Sequence, residues 1–358
     1  MEKNWKDEYV NLIGDMKFSK LQKEKMVHFL MNADNQGEGS NMGISEKKKT
    51  GISLSLRRLA VAGICICVLT AGTATIGAAG LLKPVSEVFG NIFHLNKDTS
   101  KIVEEMGNSL NISDSSAGVK MTADAVVGDE YNYAVVFSLK SKDGTPFKSI
   151  MENAPMDKWC FDSENFEIDP APSSSASWGD SYFHNSGSKD SSVQFVYIVS
   201  MDKKVNNQKI AVEFSDLGYY DDNGEFVKVL DGNWKLELQT DLPDSTVELQ
   251  AGQHLKTKTL NMMIQTVKIS PIGYHIDFKD LDDDTIKKPD KEDVFSEIPI
   301  TLNLTNGKTM ELSGGCSILA SEEGYSYTHG GRFGKILPVD QMESICIGDI
   351  LIKIPATH

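Results

Sequence analysis

The chain is poor in the residue types and spacings from which most chemical sites are built. Five cysteines are spread over 358 residues. That is too few for a disulfide-dense secreted scaffold, and no Cys-x-x-Cys spacing marks a zinc or redox site. The seven histidines, at 28, 94, 184, 254, 275, 329 and 358, have no ligand spacing and are expected to be surface or hydrogen-bonded core residues. No Gly-x-Ser-x-Gly elbow, Gly-x-x-x-x-Gly-Lys loop, Gly-x-Gly-x-x-Gly turn or His-Glu-x-x-His helix occurs, which removes the familiar hydrolase, nucleotide-binding and zinc-peptidase readings. Basic charge is also scarce: 36 Lys plus Arg stand against 51 Asp plus Glu, a net charge of −15. Such a surface repels a phosphate backbone, so no direct nucleic-acid role is expected. No catalytic residue, cofactor or metal ligand is assigned, and the chain is not expected to be an enzyme.

Long apolar runs are absent except for one. Residues 59–82, LAVAGICICVLTAGTATIGAAGLL, are uncharged throughout, and about 20 helical residues cross a hydrocarbon core of roughly 30 Å. A cleaved secretory signal has a shorter apolar core close to the start, whereas this run follows a long N-terminal segment. It predicts one uncleaved transmembrane helix in the lipid bilayer. Lys47, Lys48, Lys49, Arg57 and Arg58 lie just before it, and only Lys83, Lys97 and Lys101 follow closely. The basic flank places the N-terminus in the cytoplasm and the C-terminal region outside the cell.

Residues 1–33 read as a cytoplasmic pair of short amphipathic helices. The first puts Trp5, Tyr9, Leu12, Ile13 and Met16 on one face, and the second carries Leu21, Met26, Val27, Phe29, Leu30 and Met31. Ser19 to Gln22 fits a capping box at the start of the second. Residues 34–58 are a polar linker leading to the basic membrane flank. Two helices of this size bury too little apolar surface to offset their own ordering. Their stripes therefore need another surface: a partner protein, the inner leaflet or a second copy of the chain.

Beyond residue 82 a helix is expected around Thr99 to Asn108, and after it the period becomes two. Residues 234–239 and 300–305 alternate strictly between apolar and polar, as do Ile210, Val212 and Phe214 and the odd positions from Val193 to Val199. Asp143-Gly144, Asn223-Gly224, Asp231-Gly232 and Asn306-Gly307 are hairpin dipeptides. The run from Gly118 into Tyr131–Lys140 is echoed by Lys258–Ile269 leading into Tyr274–Lys279. The expected ectodomain is mainly β: two antiparallel immunoglobulin-like sandwich modules, residues 83–245 with the leading helix and residues 246–358. Residues 170–190, rich in Ser, read as a loop. Asp280 and Asp282 to Asp284, followed by Lys287, Lys288 and Lys291, read as a solvated turn, with calcium binding the less favoured alternative. Cys316 and Cys346 either pair or stay as buried thiols, of which the second is expected.

Val88 to Asn91, Ile102 to Gly107, Ser115 to Asp129 and Tyr133 to Leu139 together resemble a family of single-span Gram-positive proteins. Its outer part is catalogued as domain of unknown function 4179. Gly232 to Leu238, and Leu337 to Asp340 with Ile347 to Ile350, look like the strands and the immunoglobulin-like module that often accompany it. Met16 to Ser19 before a Lys-rich helix fits the short cytoplasmic part of such proteins. The resemblance implies an anti-sigma factor, a negative effector of an extracytoplasmic-function sigma factor. Trp5, Tyr9, Leu12, Met16, Leu21, Val27 and Leu30 would then contact the sigma factor, and the outer modules would sense an unknown envelope ligand or protein. The Cys and His pattern of zinc-containing anti-sigma domains is absent. The alternative is a surface-displayed ligand- or protein-binding module without sigma-factor control.

Overall fold

Alternation of apolar and polar side chains becomes extended backbone from residue 107 onward. A computed structural model describes residues 82–169, 176–184, 191–205, 208–239, 241–243, 245–257, 260–281, 295, 298–321 and 324–355. The expected inner helices, the linker and the apolar run up to residue 81 lie outside these residues. No described helix is long and apolar enough to cross a membrane.

In the first sandwich, β1 (Gly107–Ser116), β2 (Val119–Gly128), β3 (Asn132–Ser141), β5 (Ser177–His184) and β6 (Ser192–Met201) form an antiparallel sheet in the order β1-β2-β3-β6-β5. Facing it, β4 (Trp159–Asp169), β7 (Lys209–Tyr220) and β8 (Phe226–Gln239) form a sheet in the order β4-β7-β8. Inward residues of both sheets meet in an aromatic core, where Phe161 lies 4.8 Å from Phe214 and 5.0 Å from Phe195 between ring centroids. Trp234 is fully buried, and its Nε1 donates to Val119 O at 3.1 Å, so the core holds no orphaned indole donor. Each such aromatic adds about 2 to 3 kcal/mol of burial.

The outer face of the five-stranded sheet is covered as well. Helices α1 (Val85–Phe89) and α2 (Lys97–Met106) bring Val85, Val88, Phe89, Val103 and Met106 onto Ala125, Val127, Ala134, Val136, Val196 and Ile198, together with Ile272 and Ile336 from the second sandwich. A strand buried on both faces reads as a continuous apolar run, which explains the near-unbroken Tyr133–Phe137. Asn96 caps α2: its Oδ1 accepts Asp98 N at 2.9 Å and Thr99 N at 3.0 Å, and Thr99 Oγ1 accepts Asn96 N at 2.9 Å. The helix therefore begins before the predicted Thr99. It ends at Met106 because Gly107 opens β1, where a Cβ would sit 2.7 Å from Val126 O.

The second sandwich has its own core, including Met262, Ile264, Tyr274, Ile276, Phe278, Leu302 and Ile345. One sheet runs β10 (His254–Lys256), β11 (Asn261–Ile269), β12 (Gly273–Asp280), β16 (Gly324–Arg332), β15 (Gly315–Ser321), with β9 (Val247–Leu249) also on β11. The other runs β14 (Thr309–Glu311), β13 (Ile300–Leu304), β17 (Met342–Ile347), β18 (Ile350–Lys353).

Of the four hairpin dipeptides, Asn223-Gly224 and Asn306-Gly307 turn between paired strands, with glycine φ of 82° and 80°. Gly144 also has positive φ, but it leads into a helical turn, α3 (Phe147–Ile150). Asp231-Gly232 does not end a strand. It lies inside β8, where the register against β7 slips around Asp216 and Asp216 Oδ1 accepts Gly232 N at 3.2 Å. No disulfide joins Cys316 and Cys346. Cys316 is exposed on the edge strand β15, so the expectation of buried thiols fails there, and Cys346 Sγ accepts Asn303 Nδ2 at 3.4 Å.

Candidate functional site: the junction of the two sandwiches

The two segments that echo each other in sequence are both hairpins, β2–β3 and β11–β12, and their turns meet. Asp129 N donates to Asn132 O at 2.8 Å, and Asp129 Oδ1 accepts Tyr131 N and Asn132 N, each at 2.7 Å. Ser270 builds the same turn with a hydroxyl. Its N donates to Gly273 O at 2.9 Å, and its Oγ accepts Ile272 N and Gly273 N, each at 3.2 Å. Side-chain oxygens that cap their own turn are a standard use of Asp and Ser. Here the caps also bond each other, since Ser270 Oγ donates to Asp129 Oδ2. Asn132 Nδ2 donates to the same carboxylate oxygen at 3.0 Å, and Ser200 Oγ to Asn132 Oδ1 at 2.6 Å. All four side chains are buried. Burial pushes the Asp129 carboxyl above the usual carboxylate range, although the bonds from Ser270, Tyr131 and Asn132 oppose it.

Beside this knot, Glu130 takes Lys204 Nζ at 2.6 Å and Lys268 Nζ at 2.7 Å, one lysine from each sandwich. Burial pushes Glu130 up, but the two lysines outweigh it and hold the carboxyl below its ordinary value. Lys268 Nζ also lies 5.4 Å from the Tyr131 ring centre. Tyr131 stacks on His275 at 3.6 Å. His275 Nε2 is 3.0 Å from Asp277 Oδ1, which also accepts Thr328 Oγ1 at 2.9 Å. His275 Nδ1 is buried with no hydrogen-bond partner.

A third contact uses glycine as a floor. The Trp178 ring lies over Gly315, where a Cβ would come within 2.4 Å of it, and Trp178 Nε1 donates to Gly330 O at 2.9 Å. Asp180 pairs with Arg332, and Ser317 Oγ donates to Asp202 Oδ2 at 2.9 Å. A gap of only about 20 Å³, near the size of one water, is left beside Asn132 and Ile272. Acids and bases here are tied to one another across the boundary. The arrangement is a clasp between the two sandwiches, and among the described residues no group of three His, Cys, Asp or Glu is placed to hold a metal ion.

Trp5, Tyr9, Leu12, Met16, Leu21, Val27 and Leu30, and the flank Lys47, Lys48, Lys49, Arg57 and Arg58, lie outside the described residues. The junction was missed by sequence reasoning. Its one sequence signal is the internal echo, because related hairpins end in related turns, but nothing in a single chain says that two such turns face each other.

No curated protein matches the chain. A crystal structure described as the conserved domain protein from Bacillus anthracis aligns at 14% identity with a TM-score of 0.44, covering 68% of this chain and 77% of that one. The family model described as Domain of unknown function (DUF4179) matches residues 33–141. That stretch, from before the apolar run to the end of β3, is therefore the DUF4179 region that the resemblance indicated.

Proposed function

We propose that the chain is a single-pass membrane regulator of the anti-sigma-factor kind. Residues 1–33 hold an extracytoplasmic-function sigma factor in the cytoplasm, residues 59–82 cross the membrane, and the outer β region reads the state of the envelope. In this reading the two sandwiches are immunoglobulin-like modules, and the chain carries out no catalysis. One observation carries the proposal: the DUF4179 match runs without a break from Ala33 through the apolar run into β3. That match ends on the strand whose turn, at Asp129 to Asn132, is half of the clasp. A family unit defined across the expected membrane boundary suits a protein whose two sides work together.

The test is affinity capture of the full chain from the source cell, followed by mass spectrometry, with a Trp5→Ala, Leu12→Ala double variant as control. A sigma factor held by the parent and lost from the variant is expected, because aromatic anchors in a desolvated groove each contribute about 1 to 3 kcal/mol. Intact bait that retains no sigma factor sinks this reading. It would favour the surface-displayed ligand- or protein-binding module.

A further inference from the structure

The chain enters the first sandwich through a segment that cannot hold itself. Helix α1 has five residues, begins after Pro84 without a side-chain cap and is far below the length at which an isolated helix persists in water. A bonded turn continues it: Ile92 N and Phe93 N both donate to Phe89 O at 3.0 Å, and Leu95 N donates to Gly90 O at 3.0 Å, with His94 at a φ of 49°. Polar ties to other elements, from Ser109 Oγ to Lys83 O at 2.6 Å and from Ser86 N to Glu104 Oε1 at 2.9 Å, lie at exposed positions. Packing must supply the rest.

Part of that packing comes from the second sandwich. Ile272 and Ile336 belong to the same buried cluster as Val85, Val88 and Phe89, and with Phe93 they line the small gap at the junction. They are fixed as one knob, since Phe333 N donates to Ile272 O at 2.9 Å and Leu337 N to Pro271 O at 2.8 Å. One turn thus has two attachments: Ser270 bonds the Asp129 carboxyl of the clasp, and Ile272, two residues on, enters the cluster that holds α1. We propose that residues 85–93 are a strap seated by both sandwiches, so that whatever loosens the clasp also loosens the chain directly after the apolar run. A segment held by packing opens locally at a free energy set by its buried contacts. Weakening the knob lowers that free energy, while the first sandwich keeps a separate core. Such coupling is reciprocal, so a weakened strap loosens the clasp in turn. The inference rests on the proposed membrane span for where the strap leads, and not on whether residues 1–33 hold a sigma factor.

Native-state hydrogen exchange of the full chain in detergent micelles, followed by mass spectrometry, tests this. In Ile336→Ala the peptide spanning residues 89–95 should exchange about tenfold faster, with β7 unchanged as the internal reference. Trp178→Ala, which removes the contact of edge strand β5 with Gly315 and Gly330, should speed the same peptide about threefold. Phe93→Ala should speed exchange at the Ser270–Gly273 turn. Strap exchange that stays unchanged in Ile336→Ala, or rises only in step with β7, would overturn the seat. An unchanged strap beside a faster Ser270–Gly273 turn in Trp178→Ala, or an unchanged turn in Phe93→Ala, would overturn its coupling to the clasp. A chain that captures no sigma factor can still pass this test, so the two readings fail separately.

Discussion

The β2–β3 and β11–β12 hairpins are one device built twice with different side chains. Each has a register slip at a matching place, between Ala123 and Ala125 in one and between Ile264 and Thr266 in the other. Each closes its turn with a side-chain oxygen and then enters a sandwich core with a buried tyrosine, Tyr133 or Tyr274. What differs is division of labour. Asp129, Glu130 and Asn132 supply charge, acceptors and donors, whereas Ser270, Pro271 and Gly273 supply small surfaces that let the first turn come close. At Gly273 a Cβ would lie 2.4 Å from Gly331 O and 2.8 Å from Asn132 Nδ2. The tyrosines diverge as well. Tyr133 lines a cavity of about 230 Å³ together with Phe166 and Tyr197, while Tyr274 donates to or accepts from His329 Nδ1 at 3.2 Å and stacks near Phe333.

Removing the charged partner should break the pair most severely. Asp129→Ala strands the amides of Tyr131 and Asn132, the Asn132 side chain and the Ser270 hydroxyl in a buried site. At about 1 kcal/mol or more for each unmet group, the loss is about 4 kcal/mol by urea denaturation. A loss below about 1 kcal/mol would show that the chain path, not the carboxylate, shapes the turn.

Acid should separate the two sandwiches next. Burial pushes the His329 imidazole down to about 4 from an ordinary 6.5, so the folded second sandwich holds it neutral. Its full stability is present above pH 6.5. As pH falls from there to about 4 the unfolded chain takes the proton first, and about 3 kcal/mol is lost. Of the described tryptophans, Trp159 and Trp234 are buried in the first sandwich, whereas Trp178 rests on Gly315 of the second. In a Trp178→Phe background, acid unfolding followed by circular dichroism should therefore precede the change in tryptophan fluorescence, and His329→Gln should bring the two together. Coincident transitions in the parent chain would mean that the clasp makes one cooperative unit of both.

Filling the room left by the small turn has a lesser effect. Gly273→Ala should cost about 2 kcal/mol through overpacking against Gly331 and Asn132, and should loosen the junction in hydrogen exchange before it unfolds either core. Protection lost equally throughout would place Gly273 in the fold of its own sandwich and not in the contact.

Strands were legible where apolar and polar residues alternate strictly, whereas β5 (Ser177–His184) lay hidden in the Ser-rich stretch read as a loop. Residues 234–239 fall in β8 and residues 300–304 are β13, because alternation and half-burial are the same fact seen in sequence and in space. The slip at Asp231-Gly232 was not legible, since a bulge and a hairpin turn use the same residues. Helix α1 escaped notice because five residues are too short a window to establish a period, although Val85, Val88 and Phe89 stand at i, i+3 and i+4; packing on the outer face of the sheet holds it. The junction lay furthest from reach. Asp129 and Ser270 are 141 positions apart, and Glu130 and Lys268 are 138 apart. The echo between the hairpins revealed repetition, but tip-to-tip docking depends on the whole of both sandwiches.

The smallest expected effect is the most discriminating. Ser270→Ala should cost about 1 kcal/mol at pH 7 through loss of the bond from its hydroxyl to the Asp129 carboxyl. The Ser270 bond draws down an Asp129 carboxyl that burial has already raised, so losing it raises that carboxyl further. A carboxyl raised above 3.8 in the folded state binds its proton there first, and folding stability then falls as pH rises through that window. The window is wider in the variant. Its penalty should therefore be largest at pH 7 and shrink as pH approaches 4, in the opposite sense to the His329 effect, which the difference between variant and parent removes. A penalty constant over that range would mean that the hydroxyl serves only the amides of Ile272 and Gly273 in its own turn, and that the carboxylate of the other hairpin does not depend on it.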